Sequence, residues 1–169
     1  MTIKNHLQQF SKDELIAQII ELSKKYKEVK AYYDFTINPD SNNAKEEAKK
    51  MIEKNIDTKV NGLLKLGEAR NAIAAFKKLK PTEIDIIDVM LFFVECGINY
   101  TNEFGDIHEQ FYISIEGMFE DACKKIRKEN AENDFKKRCS KMVSDTENIG
   151  WGFHDQLTDY YYTYFEQYE

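Results

Sequence analysis

Two prolines and seven glycines are all that punctuate these 169 residues. Between them apolar side chains recur at intervals of three and four, the period of a helix, and no stretch alternates as a strand does. Cysteine is as scarce. Cys96, Cys123 and Cys139 are odd in number, far apart and never spaced C-x-x-C, which argues against a zinc site and a disulfide framework and fits reduced core thiols. Basic residues do not predominate: the net charge is -6 and the pI about 5.2, so the average field repels nucleic-acid phosphates and anionic lipid. Long apolar runs are missing too. The longest, Val89 to Val94 between Asp88 and Glu95, falls far short of the ~20 residues that span a bilayer, and "MTIKNHLQQF" has no secretory apolar stretch. A cytoplasmic location is the expectation.

Apolar types nevertheless make up 42% of the chain and aromatics 13%, enough to core one domain without metal or disulfide staples. The pattern predicts an all-α protein: a single helical domain over 1–169, with 1–10 as a loose N-terminus and seven or eight helices whose short turns favour antiparallel neighbours, as a bundle or as stacked helical hairpins. Ser11 with Glu14 three residues on predicts a capping box, followed by a buried stripe of Leu15, Ile16, Ile19, Leu22 and Tyr26. Further helices are expected over 29–35, stopped by Pro39, from Ser41 with a seam ending at Val60, and after Gly62 up to Pro81. Thr82 to Glu103 is the most apolar segment and is predicted to be the central helix. Gly105 suits a left-handed cap, and Asp106 with Glu109 resembles an N-terminal capping pair.

Along that central helix Asp85, Asp88, Glu95, Asn99, Asn102 and Glu103 fall on one strip at about 100° per residue, interrupted by Phe92. Carboxylates on an enclosed helix must be paired, protonated or turned to a cleft or to water, because an unpaired buried charge costs several kcal/mol. The last helix follows "IGWGFHDQLTDYYYTYF". On a wheel Leu157, Tyr160, Tyr161, Tyr164, Phe165 and Tyr168 share the side of Phe153, while Asp155, Asp159, Tyr162 and Glu166 share the other. The first set is expected to be core and the second a solvated face. His154 at the edge suits a packed imidazole with a hydrogen-bonded tip. Trp151, between Gly150 and Gly152, is either a staple on the bundle after a positive-φ Gly150 or an exposed anchor for a partner.

Phosphate-cradling loops, dinucleotide-binding glycines, H-E-x-x-H and G-x-S-x-G are all absent. No catalytic residues and no cofactor are therefore assigned. The expected function is a non-enzymatic protein-interaction or adaptor module, with Trp151, Tyr162, Asp155 and Asp159 as binding residues and protein, not nucleic acid or membrane, as partner. One alternative is a metal-dependent phosphoester hydrolase. It would use the adjacent His154-Asp155 as HD-type phosphohydrolases do, with His108 and Glu103, although only fourteen residues follow Asp155 to supply the downstream aspartate those enzymes need. Another is a structural subunit that forms a homodimer. The segments "NAIAAFKKLKP" (71–81), "GINYTNEFGDI" (97–107) and "IGWGFHDQLTDYYY" (149–162) resemble a family of small, uncharacterised, all-helical bacterial proteins, a domain of unknown function. The resemblance covers most of the chain, least strongly 38–62. It implies an all-α fold in a bacterial cytosol and transfers no site residues.

Overall fold

The computed structural model describes residues 1–37, 41–57 and 63–166, and every described element is a helix or a turn. The expectations that rest on Pro39, Val60, Gly62 and Tyr168 lie outside the described residues. Contacts divide the chain into two compact units, residues 1–40 and 41–169.

In the first unit a short helix α1 (Ile3–Leu7) precedes α2 (Lys12–Lys25) and α3 (Lys27–Ile37), and α2 packs on α3. The capping box forms as expected. Ser11 Oγ accepts the Glu14 N–H and the Glu14 carboxylate accepts the Ser11 N–H, satisfying two amides the helix cannot serve itself. The predicted buried stripe does not form: α2 and α3 contain no buried residue, and Ile16, Ile19, Ile20, Leu22 and Tyr26 are 36 to 49% exposed. An apolar stripe records which face avoids water. It does not record whether this unit has enough mass to cover that face.

The second unit contains α4 (Ser41–Ile56), α5 (Leu66–Lys78), α6 (Glu83–Phe104), α7 (Glu109–Lys128), α8 (Glu132–Ser144) and α9 (Phe153–Phe165). Side-chain pairings give the relative directions of α4 and of α6 to α9. Lys45 meets Asp85 and Lys49 meets Asp88, so α4 and α6 run the same way. Arg138 meets Asp88, and Asn102 farther along α6 donates to the Asp145 carbonyl, so α8 joins them. Lys125 pairs with Glu83 while Tyr112 reaches Thr101, which sets α7 against α6. The Tyr112–Phe153 and Glu120–Tyr164 contacts align α9 with α7. Successive helices from α6 to α9 thus alternate up and down, as short connections favour.

The central helix is α6, with Ile86, Ile87, Val89, Met90, Leu91, Phe93, Val94, Gly97, Ile98 and Thr101 buried. It is started by Thr82, whose hydroxyl accepts the Asp85 N–H at 3.1 Å. Its cap Gly105 has φ 82° and ψ -157°. The positive φ matches the expectation, but the ψ belongs to an extended region open essentially to glycine alone rather than to the left-handed helix. The next start differs from the expected Asp106/Glu109 pair: His108 is the N-cap of α7, its Nδ1 accepting the Phe111 N–H at 3.3 Å. Phe111, Ile115, Phe119, Ala122 and Ile126 of α7 are all buried as the spacing predicts, and each of the phenylalanines and isoleucines contributes about 1.5–3 kcal/mol on burial.

Candidate functional site

The carboxylate strip of α6 proves to be an ion-pair seam. Its partners come from the two helices that flank it, and neither was indicated by local sequence. The Arg138 guanidinium of α8 grips Glu95 with two parallel bonds, Nε–Oε1 2.8 Å and NH2–Oε2 2.7 Å, and reaches Asp88 at 2.6 Å. From α4, Lys45 lies 3.0 Å from Asp85 and Lys49 2.9 Å from Asp88, with the Lys49 ammonium 5.5 Å from the centre of the Phe92 ring that interrupts the strip. Burial by itself raises the Asp88 pKa, but hydrogen bonds from Lys49 and Arg138 outweigh it and hold the carboxyl below its ordinary value. The bond to Asp85 raises Lys45 despite partial desolvation.

Arg138→Met should therefore destabilise the fold by about 1–3 kcal/mol at pH 7, less than a fully buried pair because the seam is partly wet. Because the Asp88 pKa is depressed in the folded state, the stability it contributes is complete above the unfolded value of about 3.9 and is lost as pH falls through the folded one. The raised pKa of Arg138 adds nothing to that window, since its own contribution fades only in strong alkali. Urea denaturation should accordingly show parent and variant diverging most above about pH 4 and converging below it. A gap that stays constant down to pH 2 would mean that packing, not charge, is what Arg138 supplies.

Over the seam, α6 floors a groove between α4 and α8 with two adjoining clefts of about 300 and 190 Å³, both lined by Glu53, Cys96 and Asn99. The chemistry it presents is muted. Burial, reinforced by Glu53, Glu95 and Asp57, pushes the Cys96 thiol up to about 12, so it stays protonated at neutral pH and is a poor nucleophile. Cys123 is buried and raised by its hydrogen bond with Cys139 and by desolvation. Glu103 lines the smaller cleft.

That corner joins α8 to α9. Thr146 is fully buried; its hydroxyl donates to the Val143 carbonyl at 2.6 Å. With its single proton committed, it accepts from His154 Nδ1–H at 3.0 Å, and the same ring nitrogen lies 3.2 Å from the Val143 carbonyl. His154 is thus half-buried and tied to the turn, in keeping with the packed role expected of it. Both His108 and His154 use Nδ1 to fix backbone. Among the described residues no group of three or more His, Cys, Asp or Glu converges as a metal cage.

Trp151 sits at the tip of the corner. Its ring lies 6.5 Å from Tyr112 at 23°, stacked on it, yet the residue is 62% exposed. The positive φ expected at Gly150 occurs instead at Trp151 (63°) and Gly152 (70°). For a bulky side chain that backbone is an outlier. Beneath it the Tyr112 hydroxyl accepts the Ile107 N–H at 3.2 Å and lies 2.9 Å from Thr101 Oγ1, which donates to the Gly105 carbonyl at 3.1 Å. Since the one Thr101 proton is spent on Gly105, Tyr112 is the donor to Thr101. A continuous chain of hydrogen bonds anchors the platform on which the indole rests.

Along α9 the division of faces follows the wheel. Phe153, Leu157 and Tyr161 are buried, with Tyr160, Tyr164 and Phe165 packed against the core. Asp155, Asp159 and Glu166 are exposed, Tyr162 is 55% exposed, and Glu166 approaches Lys136. The four residues expected to bind a partner, Trp151, Asp155, Asp159 and Tyr162, all lie on exposed parts of the corner and the last helix.

No helix among the described residues is long and apolar enough to cross a membrane. The chain matches no curated protein and no solved structure. A family model described as a family of unknown function, DUF6155, matches residues 1–166. Matched over nearly its whole length, the chain belongs to the DUF6155 family of unknown function.

Proposed function

We propose that the chain is a protein-interaction module of a bacterial cytosol and that the corner around Trp151 is its contact surface. One observation carries this: the only tryptophan is largely exposed while its backbone is held in the left-handed region. Such a conformation costs roughly 1–3 kcal/mol in a non-glycine residue, and a glycine there would avoid both the strain and the wetted ring. Partner contact supplies what folding does not, because tryptophan is among the residue types enriched at the centres of protein interfaces. Tyr162, Asp155 and Asp159 provide an aromatic and acidic flank, which favours a partner with basic or amide groups over a phosphate-bearing one.

Trp151→Gly is expected to leave unfolding stability within about 1 kcal/mol of the parent, because relief of the left-handed strain offsets the lost stacking on Tyr112. The same change should abolish retention of a partner captured from cell extract by the immobilised chain. As the sole indole, Trp151 also reports directly: adding the purified partner should shift its fluorescence emission to the blue. Undiminished capture by the glycine variant, or emission that the partner leaves unmoved, rejects the reading. A stability loss above about 2 kcal/mol would make Trp151 a staple of the fold instead.

A further inference from the structure

We propose that two copies of this chain associate through their α2 helices, packed antiparallel so that Ile16, Ile19 and Ile20 interleave and Asp13 of each copy faces Lys24 of the other. This surface shares no residue with the Trp151 corner and rests on different observations. The three isoleucines are 36 to 49% exposed. With Ile16 at zero on a wheel of about 100° per residue, Ile20 stands near 40° and Ile19 near -60°, a ridge about 100° wide that runs along the exposed side of α2.

The occupant follows from charge. Asp13 and Lys24 lie on the same flank of that ridge, near 60° and 80°, at opposite ends of the helix. A twofold axis near residues 18 and 19 brings each onto the other in the partner copy, which is the self-complementarity an isologous contact requires. Residues 1–40 carry six lysines and six acids, so the net charge of -6 falls entirely on residues 41–169. Contact between two acidic units is opposed by repulsion, whereas contact through the neutral one is not. Two helices of 14 and 11 residues with no buried side chain are also too short to be stable unaided.

Sedimentation of the full chain tests this. The parent should run at twice its 19.9 kDa mass and Ile20→Glu at the single-chain mass, with the parent's helical circular dichroism retained because the position is half-exposed. Asp13→Lys and Lys24→Asp should each weaken association about fivefold or more, and the double exchange should restore it to within about twofold. A parent that stays a single chain at about 100 μM, as it would if the ridge packed on its own chain, overturns the proposal. So does a dimer that survives Ile20→Glu, or a double exchange no tighter than the single ones.

Discussion

Tyr112→Ala is expected to lower the melting temperature by roughly 6–20 °C, the equivalent of about 3–5 kcal/mol in a chain of this size. The ring is buried, with Phe111 at 5.3 Å, Phe153 at 5.1 Å and Trp151 at 6.5 Å between centroids. Its removal opens a void where α6, α7 and α9 meet. The hydroxyl adds a second loss, since without it the Ile107 N–H and Thr101 Oγ1 each forfeit a partner. Tyr112→Phe separates the two contributions: it keeps the ring and should cost about 1–3 kcal/mol, the usual penalty for stranding buried polar groups. Thermal unfolding followed by circular dichroism measures both. Indole emission supplies an independent check, because Trp151 loses its platform only in the alanine variant and should shift to the red there alone. If alanine and phenylalanine prove equally costly, hydrogen bonding rather than packing holds this corner. A loss below about 1.5 kcal/mol for alanine would place the corner outside the cooperative core.

What the sequence made legible were features set by short-range periodicity. Phe111, Ile115, Phe119, Ala122 and Ile126 repeat at three and four and are buried as expected, and the inward and outward faces of α9 divide where the wheel divides them. The Ser11–Glu14 capping box spans three residues and was equally plain. The strip on α6 was visible, but its partners were not. Arg138 stands 50 residues from Asp88 and Lys45 stands 40 from Asp85, and no local pattern encodes which surface cation a helix will meet. The Leu15, Ile16, Ile19, Leu22, Tyr26 stripe failed differently: amphipathicity named the face but not its cover. At the caps a small shift of register decided the outcome. Positive φ fell on Trp151 rather than Gly150 and the N-cap on His108 rather than Asp106, because imidazole nitrogen accepts a backbone proton as a carboxylate does.

Gly97→Val is expected to be among the most damaging single changes, costing about 3 kcal/mol or more. Gly97 is buried in mid-helix, where glycine is ordinarily a liability of about 1 kcal/mol relative to alanine, so something must outweigh that. A Cβ at this position would sit 2.4 Å from Ile115 Cδ1, 2.8 Å from Cγ1 and 3.3 Å from Cγ2. The terminal methyl can swing aside, but Cγ1 is fixed closer to the backbone of α7, so the helices must part. Overpacking of this kind costs typically 1–3 kcal/mol. For Gly97→Ala the helix-propensity gain recovers about 1 kcal/mol of it, leaving a modest net loss. Valine adds two γ-carbons and forfeits the propensity gain, and nothing offsets the clash. Pairing Gly97→Ala with Ile115→Val removes the atom in closest conflict. The double variant should therefore be more stable than the sum of its single losses predicts, by about 0.5–2 kcal/mol in a double-mutant cycle measured by urea denaturation. Strict additivity would mean that α6 and α7 do not touch at Gly97, and a Gly97→Ala variant more stable than the parent would mean that Ile115 gives way freely.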